Sequence, residues 1–148
     1  NGNCDIINIT PLVQTCALPI TSGNCDIINI TPLVQDVLIK SKMNKGNATV
    51  FSIGSTASIT TLEFEPGLLK DIPKVLEKLI PTYQKYLHND TWGDHNGHAH
   101  IRSAIFGTSF NVPFVNNQMV LGTWQQIVLI DFDDRKRTRR IFVQLIGQ

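Results

Sequence analysis

All four histidines of the 148-residue chain, His88, His95, His98 and His100, fall within thirteen residues that also hold Asp90, Asp94 and Asn96. Imidazole and carboxylate groups gathered in this way serve either to bind a metal ion or to move protons. If Ala99–Phe106 is a strand whose pairing starts a residue or two earlier, His98 and His100 share one face, because side chains alternate along a strand with period two. His88 then supplies a third ligand. Three imidazoles with one open position are the arrangement that lets zinc acidify a bound water, so the expected cofactor is a divalent metal, zinc by its ligands. Glu63, Asp94 and Asn96 are the candidates for acid–base work or for orienting a ligand. His95, set between Asp94 and Asn96, is expected to be merely solvated. The competing reading is a polar loop with one histidine satisfied in the core; the confinement of every histidine to one window favours the metal site.

A second feature is Asp131-Phe-Asp-Asp-Arg-Lys-Arg-Thr-Arg-Arg140, in which five of the six residues from Arg135 to Arg140 are cationic. Such a run is either a solvated hairpin tip or a clamp for phosphate, whose oxygens the guanidinium fork matches. Gly54-Ser55-Thr56 and Gly122-Thr123-Trp124-Gln125 are small, hydroxyl-bearing turns where backbone N–H groups can face an anion.

The elements that must position these groups follow from periodicity. Asp26–Ile30 is β-prone, and Thr31-Pro32 reads as an N-cap and first-turn proline opening a helix with Leu33, Val34, Val37 and Leu38 on one side. Thr49–Ile53 and Ser58–Phe64 read as strands broken at Gly54–Thr56. Leu68–Tyr86 keeps the i, i+3, i+4 rhythm of a long amphipathic helix, and His88–Gly97 is a loop by composition. Ala99–Phe106, Asn111–Val115, Met119–Leu121, Trp124–Phe132 and Arg140–Ile146 read as strands. Segregated runs of this kind predict an α+β fold, a β-sandwich-like mixed or antiparallel core covered by two helices.

Thirteen Lys+Arg against twelve Asp+Glu give a formal charge of +1, which supplies no general reason for a nucleic-acid or membrane partner. No apolar run spans a bilayer, and a cytoplasmic location is expected. The three cysteines do not make a disulfide framework. Gly2–Gln14 recurs without change as Gly23–Gln35, joined through Thr15-Cys-Ala-Leu-Pro-Ile20, which resembles translated sequencing adapter. Real structural repeats diverge at surface positions, so residues 1–22 are read as a sequence artefact and residues 23–148 as the domain. That domain retains one thiol, Cys25, and 13 basic against 11 acidic residues.

From about Asp26 onward the chain resembles the secondary thiamine-phosphate synthase family, also called YjbQ-like. The resemblance rests on Asp26-Ile-Ile-Asn-Ile-Thr31, Gly54-Ser-Thr-Ala-Ser-Ile-Thr-Thr-Leu-Glu-Phe-Glu-Pro-Gly67, Tyr86-Leu-His88, Asn96-Gly-His-Ala-His-Ile-Arg-Ser-Ala104, Gly107-Thr-Ser109 and Gly122-Thr-Trp-Gln-Gln126. It implies a homotrimer with metal-binding histidines near a subunit interface, and condensation of a pyrimidine diphosphate with a thiazole phosphate. His88 and His100 match the family's histidines, and His98 those of a subgroup. Many members carry a further histidine where this chain has Gly54, which makes His98 the expected third ligand. The family's opening strand has no counterpart in the domain so delimited. Ser55, Thr56, Arg102, Trp124, Gln125, Arg135 and Arg137 are then the expected contacts to a small phosphorylated substrate. A zinc-dependent hydrolase and a non-catalytic, metal-stapled trimer are the alternatives.

Overall fold

The computed structural model describes residues 10–16 and 19–148, the first of these stretches as backbone only. In chain order the elements are β1 (Thr10–Cys16), β2 (Ile20–Thr21), β3 (Asp26–Asn29), α1 (Thr31–Ser41), β4 (Lys45–Ile53), β5 (Ala57–Leu62), α2 (Leu68–Leu79), α3 (Leu87–Trp92), α4 (Gly97–Phe106), β6 (Ser109–Val115), β7 (Gln118–Met119), β8 (Gln126–Asp131), β9 (Arg137–Thr138) and β10 (Arg140–Gly147). All described pairings are antiparallel. They form a five-stranded sheet β1-β10-β4-β6-β7, a three-stranded sheet β3-β8-β5 and the short pair β2-β9.

Strand alternation builds the core. Ala48, Val50, Val112, Phe114, Ile141, Val143 and Leu145 turn inward from the larger sheet and meet Ile59, Ile127 and Leu129 of the smaller one, with Val34, Val37 and Leu38 of α1. The other face of the smaller sheet carries Val128 and Ile130, which pack with Phe132 against Leu76 of α2 and Ala99 of α4. β8 is therefore covered on both faces, which is why Ile127–Asp131 is buried without alternation.

The α+β class and antiparallel sheets match expectation, but among the described residues four helices cover them rather than two. α2 stops at Leu79, ahead of Pro81, whose ring disfavours helical geometry in the residue before it. Thr31 is not the N-cap of α1. Ile30 holds that position, while the Thr31 hydroxyl accepts the Ile127 N–H at 2.8 Å and ties α1 to β8. β4 and β5 flank Gly54–Thr56 but pair in different sheets.

The consequential correction is α4, where a strand was expected. Ala99, Arg102 and Ser103 lie on its buried side at helical spacing, while Ile101 and Ile105 are exposed. Apolar residues on both sides of a short helix imitate strand alternation. The duplicated word also takes two forms: Thr31–Gln35 opens α1, and the identical Thr10–Gln14 lies within β1, at the edge of the larger sheet beside β10.

Candidate functional site

Because α4 advances about 100° per residue, His98 and His100 project to nearly opposite sides. The strand-based triad of His88, His98 and His100 is thereby taken apart. His100 turns toward α3, where its ring lies 4.2 Å, centroid to centroid, from that of His88. His88 Nε2 is 3.4 Å from Asp94 Oδ2. His98 is fully buried on the other side, beside Tyr86, with ring centroids 6.4 Å apart.

His100, Asp94 and Asn96 form one wall of a cleft of about 500 Å³; the other walls are Gly54–Thr56, Asp133 and the basic turn Arg135–Arg140. Two buried polar atoms of this wall, Asp94 Oδ1 and Asn96 Oδ1, have no hydrogen-bond partner, and His88 Nε2 stands against Asp94 without a hydrogen bond of good geometry. Buried polar groups are normally paired, so unpaired atoms converging on a cleft mark a place for a ligand. Burial, and then the neighbouring His88, push the His100 pKa down, with Asp94 and Asp133 opposing. A neutral imidazole that can take up a proton is the result.

The cationic turn is not the solvated tip that a charge run ordinarily makes. Arg139 is buried: its Nε donates to Asp131 Oδ2 at 2.7 Å, and its Nη2 donates to Asp131 Oδ1 and, at 2.8 Å, to Thr56 Oγ1. The Thr56 hydroxyl in turn donates to Asp133 Oδ2 at 2.9 Å, which also accepts from Arg137 Nε at 2.9 Å. Thr21 completes the cluster by donating to Asp131. This network fixes the floor of the cleft and leaves Arg135 and Arg140 exposed at its edge. Asp131 and Asp133 open the basic run in the sequence but were assigned no role, although Asp-Phe-Asp places two carboxylates on one face.

Burial raises the Asp133 pKa, but hydrogen bonding from Asp134, Arg137 and Thr56 outweighs it and holds the carboxyl far below the usual range. A group whose pKa is depressed on folding adds stability above its unfolded pKa, about 3.9, and that contribution disappears as pH falls through the lower folded value. Urea unfolding followed from pH 5 down to pH 2 should therefore show stability falling with acidification. In Asp133→Asn the slope should be shallower, with stability at pH 7 reduced by about 1–3 kcal/mol. An unchanged slope would remove this role.

Several expected contacts lie elsewhere. Glu63, exposed beyond the end of β5, and Trp124 and Gln125, in the turn before β8, sit at the far end of β5 from Thr56. Six strand residues separate those ends by roughly 20 Å. Gln125 closes its own turn, accepting the Gly122 N–H and donating to Thr61 Oγ1 at 3.1 Å. Arg102 is buried and holds α4 to the end of α2, donating to the Ile80 carbonyl at 2.6 Å and to Glu77 at 3.0 Å. It is spent on structure rather than on a substrate. Among the described residues, no group of three or more His, Cys, Asp and Glu side chains is placed to hold a metal ion. None of the described helices is long and apolar enough to cross a membrane.

Residues 16–148 match the family model of the UPF0047 protein, YjbQ-like. The chain belongs to the YjbQ-like family. A UPF0047 protein of Methanothermobacter thermautotrophicus is 40% identical over 137 residues, covering 92% of this chain and 94% of its own. One from Archaeoglobus fulgidus is 37% identical over 101 residues, covering 68% of this chain and 78% of the relative. Among solved structures, a YbjQ-like protein of unknown function from Sulfolobus solfataricus superposes with a TM-score of 0.85 at 28% identity, covering 95% of this chain and all of that one. A YjbQ/UPF0047 protein from Clostridium acetobutylicum gives 0.77 at 32% identity, over 92% and 98% of the two chains. The antiparallel α+β architecture is thus shared across YjbQ-like proteins.

Proposed function

We propose that the cleft binds the phosphate or diphosphate group of a small molecule and that His88, Asp94 and His100 carry out chemistry on it, as in a secondary thiamine-phosphate synthase. The observation that carries this reading is the convergence of unpartnered Asp94 and Asn96 atoms on a cleft that His100 also lines and that Arg135, Arg137 and Arg140 edge. Guanidinium groups bind phosphoryl oxygens and stabilise the charge that develops on a diphosphate leaving group. His100, neutral by burial, accepts or returns a proton at the reacting end, and Asp94 orients His88. Ser55 supplies a hydroxyl beside the phosphate, while the Thr56 hydroxyl is engaged by Asp133 and Arg139 in the floor.

A divalent ion, zinc by the donor types, fits the paired imidazoles of His88 and His100 in this reading, although His98 cannot join them. Bound there, it would supply Lewis-acid polarisation of a phosphoryl oxygen or acidify a water. The second course describes a hydrolase, in which Asp94 on the cleft wall serves as the base. Self-association as a trimer is supported by the apolar outer face of the larger sheet, where Phe51 and Ile53 are each 41% exposed. Ile53 borders both that face and the cleft.

Calorimetric titration of the full chain with pyrophosphate tests the reading. Arg135→Ala/Arg137→Ala, which leaves the buried Arg139 in place, should bind at least tenfold more weakly and with a smaller salt dependence. Equal affinity would overturn the phosphate assignment. Metal analysis of the parent, His88→Ala and His100→Ala proteins separates the ion from the anion. Zinc in the parent and its loss in both variants supports the paired ligands; a metal-free parent removes the ion.

A further inference from the structure

The basic turn that edges the cleft carries its own source of instability. Five cations in the six residues from Arg135 to Arg140 repel one another, and a turn so charged splays unless contacts from outside oppose the repulsion. Residues 19–24 supply those contacts. The Arg139 N–H donates to the Pro19 carbonyl at 3.1 Å and the Asn24 N–H donates to the Asp133 carbonyl at 2.6 Å, so the segment grips the turn at both ends. Between these bonds β2 pairs with β9, Thr21 opposite Arg137. Gly23, at φ +82°, lies so near that a Cβ there would stand 2.8 Å from the carbonyl oxygens of Asp133 and Arg135.

Thr21 sits at the centre of this grip. It is 1% exposed, and its hydroxyl is used twice, donating to Asp131 Oδ2 and accepting the Arg137 N–H at 3.3 Å. One side chain thus joins the carboxylate that anchors Arg139 to the backbone that carries Arg137. The turn is also a boundary. Asp133 and Arg135 face the cleft, whereas Asp134, with Asn24, lines a separate cavity of about 490 Å³ that holds His95 and His98. α4 and the loop before it divide the same two spaces, with Asp94, Asn96 and His100 on the cleft side. A turn that alternates between two spaces directs its guanidinium groups only while its backbone is held.

We infer that residues 19–24 are a clip that presets the basic turn for anion binding, with Thr21 as its positioning residue; the inference rests on the phosphate reading of the cleft. A turn already ordered spares the ligand the entropic cost of ordering it, which is how a rigid loop gains affinity. Residues 19–22 belong to the stretch 1–22 that the sequence alone reads as an artefact, and the clip makes them a working part of the domain.

Calorimetric titration of full-chain Thr21→Val and Thr21→Ser with pyrophosphate tests the clip. Valine keeps the shape and removes the hydroxyl, and should bind pyrophosphate about tenfold more weakly. Serine retains the hydroxyl and should stay within about twofold of the parent. Hydrogen exchange at the Arg137 amide should quicken in Thr21→Val and not in Thr21→Ser. Gly23→Ala pushes the turn from outside without touching Asp131 and should also weaken binding, which decides the matter if Thr21→Val does not fold. Phe114→Ala, a core truncation away from the cleft, should keep the parent affinity and so sets aside general loss of stability. Parent affinity in the folded Thr21→Val or Gly23→Ala protein, or equal weakening in Thr21→Val and Thr21→Ser, overturns the clip while a weakened Arg135→Ala/Arg137→Ala protein leaves the phosphate reading standing. Parent affinity in Arg135→Ala/Arg137→Ala overturns the phosphate reading itself, and the clip's part in binding with it.

Discussion

Replacing Arg139 with methionine should cost about 3–5 kcal/mol of stability and abolish pyrophosphate binding in the same protein. Arg139 is 7% exposed and contacts Asp131, Asp133 and Thr56. Methionine roughly fills the volume but leaves two buried carboxylates without their shared cation. Removing one member of a buried ion network is costly because the stranded charges have already lost their hydration. Equilibrium urea unfolding should show the loss, with a fall in melting temperature on the order of 10 °C. The binding defect follows from position: Thr56 and Asp133 depend on Arg139, and Asp133 holds Arg137 at the edge of the cleft. Arg139→Lys keeps the charge without the fork and should recover part of the stability, since one ammonium cannot reproduce the paired contacts to Asp131. A stability loss under 1 kcal/mol in Arg139→Met would show that the network has no structural weight.

Phe114→Ala should destabilise by a comparable 3–5 kcal/mol and leave pyrophosphate affinity at the parent value. The ring is fully buried in the core, and a Cβ at Gly46 would lie 2.7 Å from its Cζ, so it rests on a bare stretch of β4. Truncation removes the transfer energy of the ring and leaves a cavity above that glycine. Gly46 and Ile53 stand at opposite ends of β4, roughly 20 Å apart, and only Ile53 borders the cleft. Equal losses of stability with opposite effects on binding would separate the polar network from the apolar core. Weakened binding in folded Phe114→Ala protein would break that separation.

Much of this fold was legible in the sequence because most strands carry their pattern openly. Alternation over Thr49–Ile53 and Arg140–Ile146 and the apolar run of β8 pointed to sheets at the right places. The histidine window and the basic turn, far apart in sequence, come together around one cleft. α4 was misread, since Ala99, Ile101, Ile105 and Phe106 do not lie on one helical side, and the histidine triad failed with it. Arg102, Trp124 and Gln125 were chosen by residue type, which does not distinguish a group facing solvent from one bound to its own backbone. Thr-Pro-Leu-Val-Gln shows the limit most plainly, being strand at Thr10–Gln14 and helix at Thr31–Gln35. The second copy is followed by Asp36-Val37-Leu38, whose apolar pair enters the core, whereas the first is followed by Thr15-Cys16 beside β10. Context selects the conformation where five residues alone do not.

The partition made by α4 and its leading loop has an evolutionary consequence. Residues that line the cleft and those that line the cavity holding His95 and His98 are interleaved along a few turns of chain, yet no residue lines both. Substitution at 95 or 98 can then alter one repertoire while 94, 96 and 100 stay under their own constraint. Selection holds two separate dials on one short piece of polypeptide.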